Sequence, residues 1–163
     1  MTYDRSTTRK HSYYYIQSQK LQEELKDSTN LFNSYYNTAL MFIGITDYVK
    51  AKTYYNKAFI VAKTQHKIGQ KGFAYSGLAR ICKKENKIDS AYYYYFKAED
   101  CFKKEENLMG LEEVYINVGS LLVDDKRIKN NSNILKGLSY FRMALCINKK
   151  YTNKITEAGI YGH

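Results

Sequence analysis

Proline is absent from this chain and glycine occurs only nine times. Proline breaks helices because it lacks an amide donor and clashes with the preceding turn. A chain without it can be helical nearly throughout. Strand-like alternation bounded by turn residues does not occur either. No run of about 18 apolar residues exists to span a bilayer. The opening residues, Met1-Thr2-Tyr3-Asp4-Arg5, lack the basic-then-apolar order of a secretion signal. The three cysteines, Cys82, Cys101 and Cys146, are odd in number and widely spaced, which excludes a disulfide framework and makes a reducing compartment the default. No Cys-x-x-Cys or His-Glu-x-x-His spacing signals a zinc site.

What the chain does have is an internal period. Tyr35, Tyr75 and Tyr115 lie forty residues apart, and Tyr161 follows forty-six later. Tyr14-Tyr15, Tyr54-Tyr55 and Tyr94-Tyr95 keep the same forty, with Tyr140-Phe141 forty-six beyond. Ser18, Ala58, Ala98 and Ala144 follow the same rule, as do Ala39, Ala79 and Gly119. A fixed period of about 20–50 residues marks a solenoid of stacked units. The 163 residues are 44% hydrophobic, enough for one core.

Each unit reads as two helices. In the first, Tyr35, Ala39 and Phe42 are spaced four and three apart, and Ala51, Tyr55 and Ala58 repeat that spacing after a turn at Gly44-Ile45-Thr46-Asp47. Small Ala39 and Ala51 let the helices approach, and the aromatic rings fill the volume around them. The second unit carries Tyr75, Leu78, Ala79 and Cys82, a turn at 85–89, then Ala91, Tyr95 and Ala98. The third carries Tyr115, Val118, Gly119 and Leu122, then Gly137, Phe141 and Ala144. Its internal connection, 124–133, is six residues longer, charged and Asn/Ser-rich, and reads as an exposed loop. Cys82, Cys101 and Cys146 all fall near packing positions and are expected in the core.

These slots resemble the tetratricopeptide repeat. That family has an aromatic or large apolar residue, Gly/Ala four on, an aromatic three further, then Ala, an aromatic and Ala on the second helix. The match is Tyr35/Ala39/Phe42/Ala51/Tyr55/Ala58 and Tyr75/Ala79/Cys82/Ala91/Tyr95/Ala98. The third unit departs by Gly137 and its long turn. No unit has the family's proline, and the period is forty against the usual 34 or so. The likeness is greatest to long-period arrays in regulatory proteins of Bacteroidetes-type bacteria, which implies an all-α solenoid of helix-turn-helix hairpins. The division is then the second helix of a truncated repeat at 8–26, repeats at 29–67, 70–106 and 109–150, and the start of another at 152–163. Neither end shows a polar cap, so the chain reads as a piece of a longer protein, with pairing of end faces in a homo-oligomer as the alternative.

No catalytic constellation and no cofactor site emerge. His11, His66 and His163 are scattered, and Gly69 and Gly72, read as lying between helices, lack the Lys-Ser/Thr of a phosphate loop. The resemblance implies a protein or peptide ligand on the face lined by the first helices. It places Asn33, Tyr36, Asn37 and Leu40 there from the first unit, Phe73, Ser76, Arg80, Lys83 and Lys84 from the second, and Glu113, Ile116, Asn117 and Ser120 from the third. Asn amides can hold a peptide backbone and the basic groups an acidic side chain. Leu40 and Glu113 stand where a chaperone-type carboxylate clamp needs Asn and Lys, so that clamp is not expected.

Net charge is +10, and a basic surface attracts polyanions. The alternative function is therefore single-stranded nucleic-acid binding, with bases stacked on Tyr13-Tyr14-Tyr15 or Tyr92-Tyr93-Tyr94-Tyr95 beside Lys83, Lys84, Lys103 and Lys104. The chain as given is expected in the cytoplasm; the periplasm is the expectation for an intact form carrying a signal peptide.

Overall fold

A computed structural model describes Tyr13, Tyr14, Ile16, Gln17, Lys20 and Leu21, then residues 30–125 and 131–161, with side chains through Lys150. Six helices follow in order: α1 (Leu31–Gly44), α2 (Tyr48–Thr64), α3 (Ile68–Lys84), α4 (Ile88–Lys104), α5 (Leu108–Asp124) and α6 (Asn131–Tyr161). No strand occurs among the described residues. Most of the 8–26 segment and the side chain of Tyr161 lie outside the described residues.

Helices α2 to α5 are each 17 residues long, joined by three-residue connections. The forty-residue sequence period is thus two nearly equal steps of backbone. The same turn closes α1 through α4. Thr46, His66, Asn86 and Glu106 all take positive φ, between 52° and 62°. At the first, the amide of Thr46 donates to the Ile43 carbonyl at 3.0 Å and that of Asp47 to the Phe42 carbonyl at 2.9 Å. The other three turns repeat this pair of bonds. This is the Schellman closure, which satisfies carbonyls that a helix end leaves open. The residue after it starts the next helix. Asp47 accepts from the Lys50 amide and Asn107 from the Gly110 amide, whereas Lys67 and Lys87 provide no side-chain cap.

Sequential helices pack as antiparallel neighbours. In addition α1 touches α3 and α3 touches α5, while α2 and α4 make no contact with each other. The first helix of each hairpin therefore belongs to an inner layer and the second to an outer one. The helix crossings sit where small residues face each other. Ala39, Ala51, Ala79 and Ala91 are fully buried. At the third crossing a Cβ on Gly119 would come within 3.0 Å of the Gly137 carbonyl, and the reverse holds for Gly137. Tyr55, Tyr95 and Phe102 fill the space between layers with no exposed surface. Phe102 is wedged between Gly72 and Gly110, neither of which has room for a methyl group.

Three expectations change. Gly69 and Gly72 lie inside α3, buried, because α3 begins directly after the turn at 65–67. Cys146 is exposed, unlike buried Cys82 and Cys101; it sits off the Gly137–Ala144–Ile147 face of α6 that meets α5. Helix α6 runs unbroken across 150–152, where the repeat register places a turn; no glycine or proline interrupts residues 138–158. Both helices extend into the connection expected over 124–133, with Asp124 closing α5 and Asn131 opening α6.

Candidate functional site: the inner helical face

The inner layer pairs six of the anticipated residues across neighbouring inner helices. Tyr36 meets Phe73 edge-on, with ring centres 6.3 Å apart. Ser76 Oγ donates to Glu113 Oε1 at 3.1 Å, and Lys83 Nζ donates to Ser120 Oγ at 2.7 Å. All three pairs are thirty-seven residues apart, three short of the repeat. Each inner helix is therefore displaced by nearly one turn relative to its predecessor. Lys83 also holds Asp124 at 3.2 Å, and Ser120 Oγ donates to the same carboxylate at 3.1 Å. Asn117 Nδ2 donates to the Glu113 backbone carbonyl at 2.8 Å, one turn back on its own helix. Asn33, Asn37, Lys84 and Ile116 are exposed, and Leu40 is half-buried against the core of the first hairpin.

At the centre lies a polar cluster. The half-buried Arg80 guanidinium donates from Nη2 to the Tyr55 hydroxyl at 3.3 Å. Tyr36 packs edge-on to the Tyr55 ring at 5.4 Å and stacks on Phe32 at 5.8 Å. Burial raises the phenol pKa of Tyr36, Tyr55 and Tyr95, with Arg80 opposing the rise in all three. Burial works against the charge on Arg80, and Tyr55, Tyr36, Glu113 and Tyr95 more than offset it, so its pKa rises above the ordinary value. The Tyr95 hydroxyl is buried without a hydrogen-bond partner.

No protein-family model, no curated protein and no solved structure matches this chain. Its site must be read from its own chemistry. The cluster has more donors than acceptors. Half-buried Arg80 offers five N–H groups and uses one in a bond to protein, and the Glu113 carboxylate shares its field. Such a surface accommodates a group rich in acceptors, such as a peptide backbone or carboxylate.

Sequence reasoning assigned Tyr55 and Tyr95 to the core and left them out of the site. Their rings are core, and the Tyr55 hydroxyl meets Arg80 while that of Tyr95 stays buried; their shared place in the repeat was the available signal. Asp124 was read as loop, and it closes α5 and pairs with Lys83. The lysines of the nucleic-acid alternative are largely engaged. Lys83 holds Asp124, Lys103 holds Glu99 at 2.7 Å, and Lys104 holds Asp100 at 2.8 Å. Tyr94 is stacked on Tyr75 and Tyr92 on Phe96. Among the described residues no group of three His, Cys, Asp or Glu side chains is placed to hold a metal, and no helix is long and apolar enough to cross a membrane.

Proposed function

We propose that this chain is a non-enzymatic interaction scaffold of tetratricopeptide type, the sensing or interaction part of a bacterial signalling or transcription regulator. An extended peptide or protein segment lies along the inner face. The observation that carries this reading is the half-buried Arg80 guanidinium beside Tyr36, with one N–H group bonded to the Tyr55 hydroxyl and the others left to a ligand. It is flanked by exposed Asn33 and Asn37 on one side and half-buried Asn117 on the other. Amides on either side suit the alternating donors and acceptors of an extended backbone, and the central guanidinium suits a carboxylate.

Selection of a random peptide library on the immobilised chain tests the reading. The expected result is a shared motif containing an acidic residue, with binding lost in Arg80→Gln and Asn37→Ala and helix content unchanged. Recovery of no motif, or binding indifferent to both substitutions, rejects it. The nucleic-acid alternative separates in the same experiment. Its binding would fall steeply as salt rises, through counterion release, whereas a peptide groove depends on salt modestly.

A further inference from the structure

A furrow runs between the start of α3 and the end of α4. This furrow is a separate cavity of about 220 Å³, lined by Ile68, Lys71 and Tyr75 from α3 and by Lys97, Asp100, Cys101 and Lys104 from α4. Its floor is rigid and largely apolar. The Tyr75 ring is fixed between Phe59, 4.8 Å away on α2, and Tyr94, 6.2 Å away on α4. Cys101 is buried beside it. Its walls are cationic. Asp100 is the one acid in the lining and is already held by Lys104 at 2.8 Å. Lys97 lies over the Tyr93 ring, 5.6 Å from its centre, and also favours the Asp100 carboxylate.

The sequence offers no nearby acid on the α2 and α3 side. Residues 48–84 contain nine Lys or Arg and no Asp or Glu. Glu105, lying against Gly69, is close by but outside the lining. Three lysines and one aspartate leave the lining with a net charge of +2. A single carboxylate would not balance that, whereas a phosphomonoester carries about −1.5 to −2 near neutral pH and offers three acceptor oxygens. Lysines bind phosphate as point charges with three rotatable donors each. The volume is below the usual range of about 300–1,000 Å³ for drug-sized ligands, which limits the guest to a small one.

We propose that the furrow between α3 and α4 binds a small phosphomonoester, with Lys71 and Lys97 on the phosphoryl group, Lys104 bridging it and Asp100, and the Ile68–Tyr75 floor under the organic part. This site is independent of the inner-face reading.

The test is titration of the full chain with glycerol 3-phosphate at constant ionic strength, followed by backbone amide NMR shifts. Saturable shifts confined to 68–75 and 97–104 are expected. Lys71→Gln and Lys97→Gln should each weaken binding roughly three- to tenfold. Lys57→Gln, an equal charge change on the far side of α2, should leave it unaltered. Shifts that do not saturate, that chloride reproduces, or that weaken equally in Lys57→Gln would overturn the site. Vesicles containing phosphatidic acid form a second arm. Furrow-confined binding to those vesicles alone would assign the phosphoryl group to a lipid headgroup instead of a soluble ester.

Discussion

At the residue scale, the two equivalent tyrosines of the second helices differ in what their hydroxyls do. Tyr55 accepts a hydrogen bond from half-buried Arg80, while the Tyr95 hydroxyl is buried with no partner. Removing a bonded group leaves a charged donor unsatisfied, which costs about 1–3 kcal/mol, whereas removing an unpaired polar atom relieves a desolvation cost. Tyr55→Phe should therefore lower the urea midpoint, and Tyr95→Phe should leave it unchanged or raise it. If an inner-face ligand uses the Tyr95 hydroxyl, Tyr95→Phe should weaken that ligand while stabilising the free chain. Gly77 makes a second prediction. A methyl group there would run into the Tyr55 ring, so Gly77→Ala should destabilise by about 1–3 kcal/mol through overpacking, despite the better helix propensity of alanine. Chemical denaturation measures both.

At the element scale, the four repeated turns are built without glycine. A positive φ suits glycine, is tolerated by asparagine, and is strained for a β-branched residue. Thr46 at φ 62° carries that strain, and Asn86 at φ 59° carries less. Thr46→Gly is expected to stabilise by about 0.5–1 kcal/mol and Asn86→Gly by less, since glycine gains backbone entropy in the unfolded chain that offsets part of the relief. Equal effects at the two sites would show that the turn strain is not local. The helix starts differ as well. Asp47 and Asn107 cap the helices that follow them, and Lys67 does not. Lys67→Asp should add about 0.5–1 kcal/mol by supplying the missing acceptor and favourable charge at the start of α3, measured as a rise in the urea midpoint.

At the scale of the whole molecule, stability is a sum over neighbouring helices, and the buried phenols make it depend on pH. Tyr36, Tyr55 and Tyr95 have folded-state pKa values raised by burial above the unfolded value. The folded chain then holds protons that the unfolded chain releases. Their contribution is complete below the ordinary tyrosine pKa of about 10 and declines as pH rises above it. Denaturant midpoints measured from pH 8 upward should be flat and then fall beyond about pH 10. The fall should be shallower in Tyr95→Phe, and an unchanged slope in that variant would place the alkaline sensitivity elsewhere.

Much of this architecture was legible in the residues because a solenoid repeats local rules. The spacing of Tyr35, Ala39 and Phe42, and of Ala51, Tyr55 and Ala58, specified helix faces, and every one of these side chains is buried. The pairing of small residues at each crossing followed from size alone. The inner-face residues were legible as a set but not as partners, because the displacement of one turn between inner helices arises from packing between units. That displacement decides that Ser76 meets Glu113 and Lys83 meets Ser120. Periodicity assigned Tyr55 and Tyr95 to the core by their rings; only the packed helices decided that the Tyr55 hydroxyl meets Arg80 while that of Tyr95 is buried without a partner. The outer furrow was likewise invisible. Lys97 and Lys104 lie seven apart on one face of α4, but Lys71 joins them only through the packing of α3 against α4. Sequence alone determined the helices of the repeats and most of their buried faces, since these depend on contacts a few residues apart. Tertiary structure decided which charges and hydroxyls face one another, since that depends on the stagger and separation of helices forty residues apart.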